Sequence, residues 1–283
     1  MPVAELKNGI HLQYEEYGEG KRYLLCAQDY HSKIDDYTIE LSHRGFHVFN
    51  ITIRGYGQST HVTEDYGEEW YNIWADDVVL FADAMGIEKF FYTGVSHGGG
   101  IGWTICVRHP ERLIAYLGVV AGPHSKDGKE TGSARMGTIL AAETPETWKA
   151  YVEKQFSGPW ALKLNGSETE EEAAVARAKH EESYRHWLSM TKEEAVINPK
   201  KPFPKEKTEE ELIAVLSKIQ VPTLLLGGMH DDICLPENLI RSCRAVKNAK
   251  LVIYEAATHG LSGEHKMEIC DDIVSFCKQR KLF

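Results

Sequence analysis

No apolar run in the sequence approaches the roughly 20 residues that a membrane-spanning helix needs, which argues against an integral membrane protein. Positive charge is also in short supply: 32 Lys and Arg against 42 Asp and Glu leave a net charge of -10. Such a surface repels phosphate backbones and anionic lipid, so neither nucleic acid nor a membrane is an expected partner. The opening stretch MPVAELKNGIHLQYEEYG is polar and acidic where a secretory signal is basic and then apolar, so a cytoplasmic protein is expected. CxxC spacing is missing too. Cys26, Cys106, Cys234, Cys243, Cys270 and Cys277 are scattered, which favours reduced structural thiols over disulfides or zinc. There is no internal repeat and no low-complexity tract.

What is present is globular in kind. An apolar share of 42% with 26% charged residues speaks against disorder, and 283 residues suffice for one main α/β domain carrying an insertion. NGIHLQYEEYG alternates apolar and polar positions as a half-exposed strand does, and RYLLCA, FHVFNITI, KFFYTGV, LIAYLGVVAG, VPTLLLGG and AKLVIYEA are apolar runs of strand length. Between them, KIDDYTIELSHRG, NIWADDVVLFADAMG, IGWTICVRHPER, TEEELIAVLSKI, PENLIRSCRAVKN and HKMEICDDIVSFCKQR read as helices. This alternation predicts an α/β fold with a mostly parallel sheet flanked by helices.

From Pro123 to about Glu211 the strand-like runs vanish. The expectation is a core of residues 1–122 and 212–283 interrupted by an inserted helical cap, 123–211. Within the insertion, SETEEEAAVARAKHEESYRHWLSM opens with Ser-x-x-Glu, a capping box, and sets Ala173, Ala176, His180, Tyr184 and Trp187 along one helical face. That stripe reads first as a packing face and second as a surface that touches a ligand.

The chemistry-bearing stretch is YTGVSHGGG, where Gly94-Val95-Ser96-His97-Gly98 fits G-x-S-x-G between a buried strand and a helical run. A nucleophile on a sharp strand-to-helix turn needs strained backbone angles, and small residues two before and two after it avoid collisions across the turn. The His97 N–H then points to where an oxyanion develops. The rival reading is a glycine-rich turn that only joins strand to helix or cradles a phosphate. A serine needs a base and an orienting acid. VPTLLLGG runs into Met229-His230-Asp231-Asp232 and AKLVIYEA into Ala257-Thr258-His259; in a parallel sheet both loops emerge at the serine's edge, in the chain order Ser, Asp, His. His230, Asp231 and Asp232 as a metal cluster is the weaker reading, because adjacent residues rarely all reach one ion. Neither a metal nor a cofactor is expected.

On GVSHGG, IRGYGQS (53–59), GMHDDICLP and THG (258–260) the chain resembles the α/β-hydrolase superfamily. The resemblance implies an α/β-hydrolase fold with Ser96 as nucleophile, His259 as general base and Asp231 as acid. Asp231 is preferred to Asp232 because the family pattern places the acid three residues after the strand-ending glycine, here Gly228. One departure stands out. The family usually carries His-Gly after its early strand, whereas this chain reads Ala27-Gln28-Asp29. The backbone of His97 supplies one oxyanion donor, and Asp29, or else Gln28, the second. The resemblance implies hydrolysis of a small or medium carboxylic ester or lactone through an acyl-enzyme, in a pocket whose lining includes Trp160, Tyr184 and Trp187. Two rivals are cleavage of a carbon–carbon bond next to a ketone and a hydrolase-like small-molecule binding or signalling module with little turnover. The oligomeric state is not legible.

Overall fold

Strands buried on both faces read as unbroken apolar runs, and here they assemble into one sheet. The computed structural model describes every residue except 30–35, 63, 65, 127–134, 159, 163, 165, 167 and 196–200, and leaves out the side chains of 135, 136, 179 and 193. The strands are β1 (Val3–Glu5), β2 (His11–Tyr17), β3 (Tyr23–Gln28), β4 (His47–Thr52), β5 (Phe90–Val95), β6 (Leu113–Val119), β7 (Thr223–Gly228) and β8 (Ala249–Tyr254). Their spatial order is β1-β2-β4-β3-β5-β6-β7-β8. β2 runs antiparallel to both neighbours, and every pairing from β4 to β8 is parallel.

The helices, in chain order, are α1 (Tyr37–His43), α2 (Trp70–Ala84), α3 (His97–Arg108), α4 (Arg135–Ala141), α5 (Pro145–Ser157), α6 (Glu170–Ser189), α7 (Lys192–Ala195), α8 (Glu209–Leu216), α9 (Pro236–Ala245), α10 (Leu261–Glu264) and α11 (Lys266–Gln279). Successive residues of a strand face opposite ways, and β4 shows which helices they meet. Phe49 packs edge-on to Phe81 of α2, while its neighbour Asn50 donates to Thr38 of α1 at 2.8 Å. α2 with α3 therefore covers one face, and α1 with α11 the other. Among the described residues no helix is long and apolar enough to cross a membrane.

The six thiols are unbridged. Five sit in β3, α3, α9 or α11, and burial pushes Cys26 and Cys106 well up and Cys270 and Cys277 up to about 12. A thiol held protonated in this way is a packing group.

Three local expectations need correction. The capping box of α6 is formed by Thr169 and Glu172, two residues beyond the Ser-x-x-Glu read from the sequence. Thr169 Oγ1 accepts from the Glu172 N–H at 3.2 Å, and the Glu172 carboxylate accepts from the Thr169 N–H at 2.7 Å. Three consecutive glutamates make several registers of the motif possible, and only the one that starts the helix is used. β1 was not anticipated, since three residues are too few to show a period. α3 begins at His97, inside the glycines rather than after them, because packing overrides their poor helix propensity.

α4 to α7 carry an apolar cluster separate from the main core, built on Ala141, Ala142, Trp148, Val152 and Ala195. The stripe on α6 is its packing face: Tyr184 lies 5.3 Å from Phe156 of α5, and Trp187 stacks on Trp148 at 5.8 Å. The buried Trp148 indole N–H donates to the Trp187 carbonyl at 2.9 Å, so the ring is held without leaving a buried donor unpaired. Glu194 of α7, 6% exposed, ties this unit to the loop after β4 by accepting the Gly57 N–H at 2.8 Å.

Candidate active site

Ser96 sits between β5 and α3 with φ 49° and ψ -107°, a conformation that costs a non-glycine residue about 1–3 kcal/mol. It persists because its surroundings permit no other path. A Cβ on Gly94 would lie 2.4 Å from the Gly98 carbonyl carbon and 2.6 Å from the Gly99 nitrogen. One on Gly98 would lie 2.6 Å from the Ala27 oxygen and 2.9 Å from Gln28 Cγ. Each glycine meets a backbone atom at its shortest contact, so both are required by close approach. Gly99 faces Ala121 as expected of a helix lying close on the sheet, whereas Gly100 faces Pro202 and Tyr71 instead.

Two residues that sequence reasoning missed clamp this turn. The Tyr92 hydroxyl donates to the Gly98 carbonyl at 2.9 Å, and the Tyr116 hydroxyl donates to the Gly99 carbonyl at 2.7 Å. Burial pushes both phenols well above their ordinary pKa, so they stay protonated donors. The available signal was a tyrosine inside each of two mostly apolar strands, where a buried hydroxyl has to find a partner.

The other two residues meet at the same sheet edge. The Ser96 N–H donates to Val119 at 3.0 Å, the Val120 N–H to Leu226 at 2.8 Å and the His230 N–H to Ala257 at 2.9 Å, which links the ends of β5, β6 and β7 to the loop after β8. His259 Nδ1 lies 3.0 Å and 2.9 Å from the two carboxylate oxygens of Asp231. The Asp231 side chain is fully buried, and its Oδ1 also accepts the N–H groups of Ile233 at 2.9 Å and Cys234 at 2.8 Å. A buried carboxylate on Nδ1 leaves Nε2 as the imidazole nitrogen able to accept a proton. Asp232 is exposed. Among the described residues no hydrogen bond joins Ser96 to His259; in proteins without bound substrate such bonds are often long. Among the described residues, no group of three or more His, Cys, Asp and Glu is placed to hold a metal.

His97 opens α3, where backbone N–H groups point out of the helix end. Its ring packs on Trp74 at 4.7 Å and Tyr71 at 5.4 Å. Gln28 ends β3 and accepts the Ile53 N–H through its carbonyl at 2.9 Å. Asp29 follows it and lines a cavity of about 390 Å³ shared with β2, β4 and α6. Trp160 and Trp187 line a different cavity of about 420 Å³ between α5 and α6, and Tyr184 packs beside it on Phe156. Neither Ser96, Asp231 nor His259 lines either cavity.

Because Gly94 opposes backbone, Gly94→Ala forces the turn open. Displacing a reacting group by about 1 Å costs on the order of 100-fold. We expect at least that loss in turnover of an activated ester together with a lower Tm, read by steady-state kinetics and thermal unfolding.

A family model described as alpha/beta hydrolase fold matches residues 37–137. The AB hydrolase superfamily protein YisY of Bacillus subtilis is 26% identical over 285 residues, covering 94% of this chain and 95% of that protein. The solved enol-lactonase of Burkholderia xenovorans LB400 superimposes with a TM-score of 0.73 at 20% identity, covering 98% of this chain and 100% of its own. The meta-cleavage product hydrolase of Pseudomonas fluorescens IP01 gives a TM-score of 0.68 at 16% identity, covering 99% and 98%.

Proposed function

We propose that this member of the α/β-hydrolase superfamily is a serine hydrolase that cleaves a small or medium carboxylic ester or lactone, with Ser96, His259 and Asp231 as its triad. The observation that carries the reading is His259 held through Nδ1 on both oxygens of a buried Asp231, at the sheet edge where Ser96 adopts its strained turn. The Ser96 oxygen attacks the carbonyl carbon while His259 Nε2 takes the hydroxyl proton. Asp231 fixes the tautomer and stabilises the imidazolium. The tetrahedral oxyanion takes hydrogen bonds from the His97 N–H and from the N–H of Asp29, each donor being worth roughly 10² to 10³ in rate. Collapse passes the proton to the leaving alcohol, and water, deprotonated by His259, then releases the acid.

In this reading residues 123–211 form a cap over the sheet edge, and the partner is a small molecule. Support for an ester or lactone comes from the likeness to the enol-lactonase. The likeness to the meta-cleavage product hydrolase favours a second reading, carbon–carbon cleavage beside a ketone by the same three residues.

The test is a panel of short-chain esters, lactones and vinylogous diketones with products identified by mass spectrometry. Acid and alcohol, or a hydroxy acid from a lactone, support the first reading. Turnover confined to the diketones would replace it with the second.

A further inference from the structure

His259 stands on a loop that is held from two sides. On the side of the acid, the His230 N–H donates to the Ala257 carbonyl at 2.9 Å. A Cβ on Gly228 would lie 2.4 Å from the Ala257 oxygen and 2.6 Å from the Thr258 oxygen. The end of β7 is thus pressed against the two residues that precede His259.

The other side is held by one side chain, Glu264, the last residue of α10. Its Oε2 accepts the Thr258 N–H at 2.8 Å, and its Oε1 accepts the Thr258 hydroxyl at 2.5 Å. The same hydroxyl oxygen accepts the Gly260 N–H at 3.1 Å. The residues on both sides of His259 are therefore fixed by a single carboxylate, one directly and one through the threonine. Gly260 leaves the space this needs, because a Cβ there would lie 2.9 Å from Glu264 Oε1.

Neither helix capping nor a surface ion pair accounts for the arrangement. A capping box joins the N-cap to the residue three positions on, whereas the N-cap of α10 is Gly260, without a side-chain bond, and Thr258 lies outside the helix. Among the described residues no Lys, Arg or His pairs with Glu264, and both of its oxygens are spent on Thr258. Thr258, Gly260 and Glu264 are exposed, while Ala257 and Leu261 are fully buried. Between those two anchors the path of the loop is set by hydrogen bonds to a carboxylate, which are roughly twice as strong as neutral ones.

We infer that Glu264 is a positioning residue for the base: acting through Thr258 and Gly260, its carboxylate keeps the loop on the path that holds His259 Nδ1 against Asp231. What His259 does there rests on the serine-hydrolase reading, but the clamp on its loop does not.

The test separates the two. Glu264→Ala, Glu264→Gln, Glu264→Asp and the control Glu268→Ala, an exposed carboxylate four residues on, are compared by kcat and KM for an activated short-chain ester and by Tm. The low-field proton NMR signal of the His259 Nδ1–H, recognised by its loss in His259→Ala, is followed in each. Glu264→Ala should lower kcat roughly 10- to 100-fold, the cost of a displacement near 1 Å, with KM held, and should shift or broaden the proton signal. Glutamine can accept the Thr258 N–H through its oxygen and donate its NH₂ to the Thr258 oxygen, so Glu264→Gln should recover kcat to within a few-fold. Glu264→Asp, one methylene short, should not recover it, and Glu268→Ala should match the wild type. An unchanged kcat in Glu264→Ala overturns the inference. So does a Glu264→Gln protein as slow as Glu264→Ala, because charge rather than the bonds would then matter. If Glu264→Ala does not fold, Thr258→Val decides: it loses the hydroxyl that links Glu264 to Gly260 and should slow kcat in the same sense, and a wild-type rate there overturns the inference. If the wild-type chain hydrolyses no ester while the proton signal still depends on Glu264, the clamp stands and the hydrolase reading falls. Turnover that is lost in Ser96→Ala but indifferent to Glu264→Ala gives the reverse.

Discussion

Ser96→Ala should lower kcat for an activated short-chain ester by a factor on the order of 10⁴ to 10⁶, the range seen when a triad nucleophile is removed. The change takes away only Oγ, which forms no hydrogen bond within the fold among the described residues. The turn is held by Gly94, Gly98 and the two tyrosine hydroxyls, none of which involves that atom. The far-UV spectrum and Tm should therefore stay within a degree or so of the wild type, since surface-like changes away from packed features shift stability by roughly 0.5 kcal/mol or less. A large loss of turnover with an unchanged fold identifies a chemical role. An unchanged rate would leave Ser96 as a turn residue.

Asp231→Asn should cost on the order of 10⁴ in kcat, for a reason visible in the hydrogen bonds. Asp231 Oδ1 already accepts the N–H groups of Ile233 and Cys234. An asparagine keeps those bonds only by placing its carbonyl oxygen there, which turns its NH₂ toward His259 Nδ1. Nδ1 must then accept, the imidazole proton moves to Nε2, and the nitrogen facing the serine's edge can no longer take a proton. The loop stays folded while the base is set in the wrong tautomer. Asp232→Asn, at an exposed neighbour, should stay within a few-fold of the wild type. Measuring kcat/KM for both variants side by side checks the assignment, and equal effects would contradict it.

Those two residues were legible in the sequence for different reasons. Ser96 stood out because a G-x-S-x-G turn is local, and the clash that requires Gly94 arises within five residues, although the one that requires Gly98 is with Ala27 of β3. Asp231 and His259 were legible only through the parallel sheet, which delivers the ends of β7 and β8 to one edge. The run of strands and helices was readable because buried parallel strands are continuously apolar, whereas β1, with three residues, gave no period to read. Contacts made across the fold left little trace: Tyr92 and Tyr116 looked like core aromatics until their hydroxyls met α3. Trp160 and Trp187 looked like pocket residues, and their rings lie 4.8 Å apart beside a cavity between α5 and α6. The stretch Ala27-Gln28-Asp29 departed from the family pattern, and its carboxylate borders a cavity assembled from four separate elements, a coincidence no local pattern encodes.

The central claim is that Ser96 is a nucleophile activated by His259. Treating the protein with a fluorophosphonate and mapping the adduct by peptide mass spectrometry tests it without any knowledge of the natural substrate. The account predicts one adduct per chain, on the peptide carrying Ser96, and its loss in both Ser96→Ala and His259→Ala. Absence of labelling in the folded wild-type protein, or labelling at another residue that survives in Ser96→Ala, would contradict it.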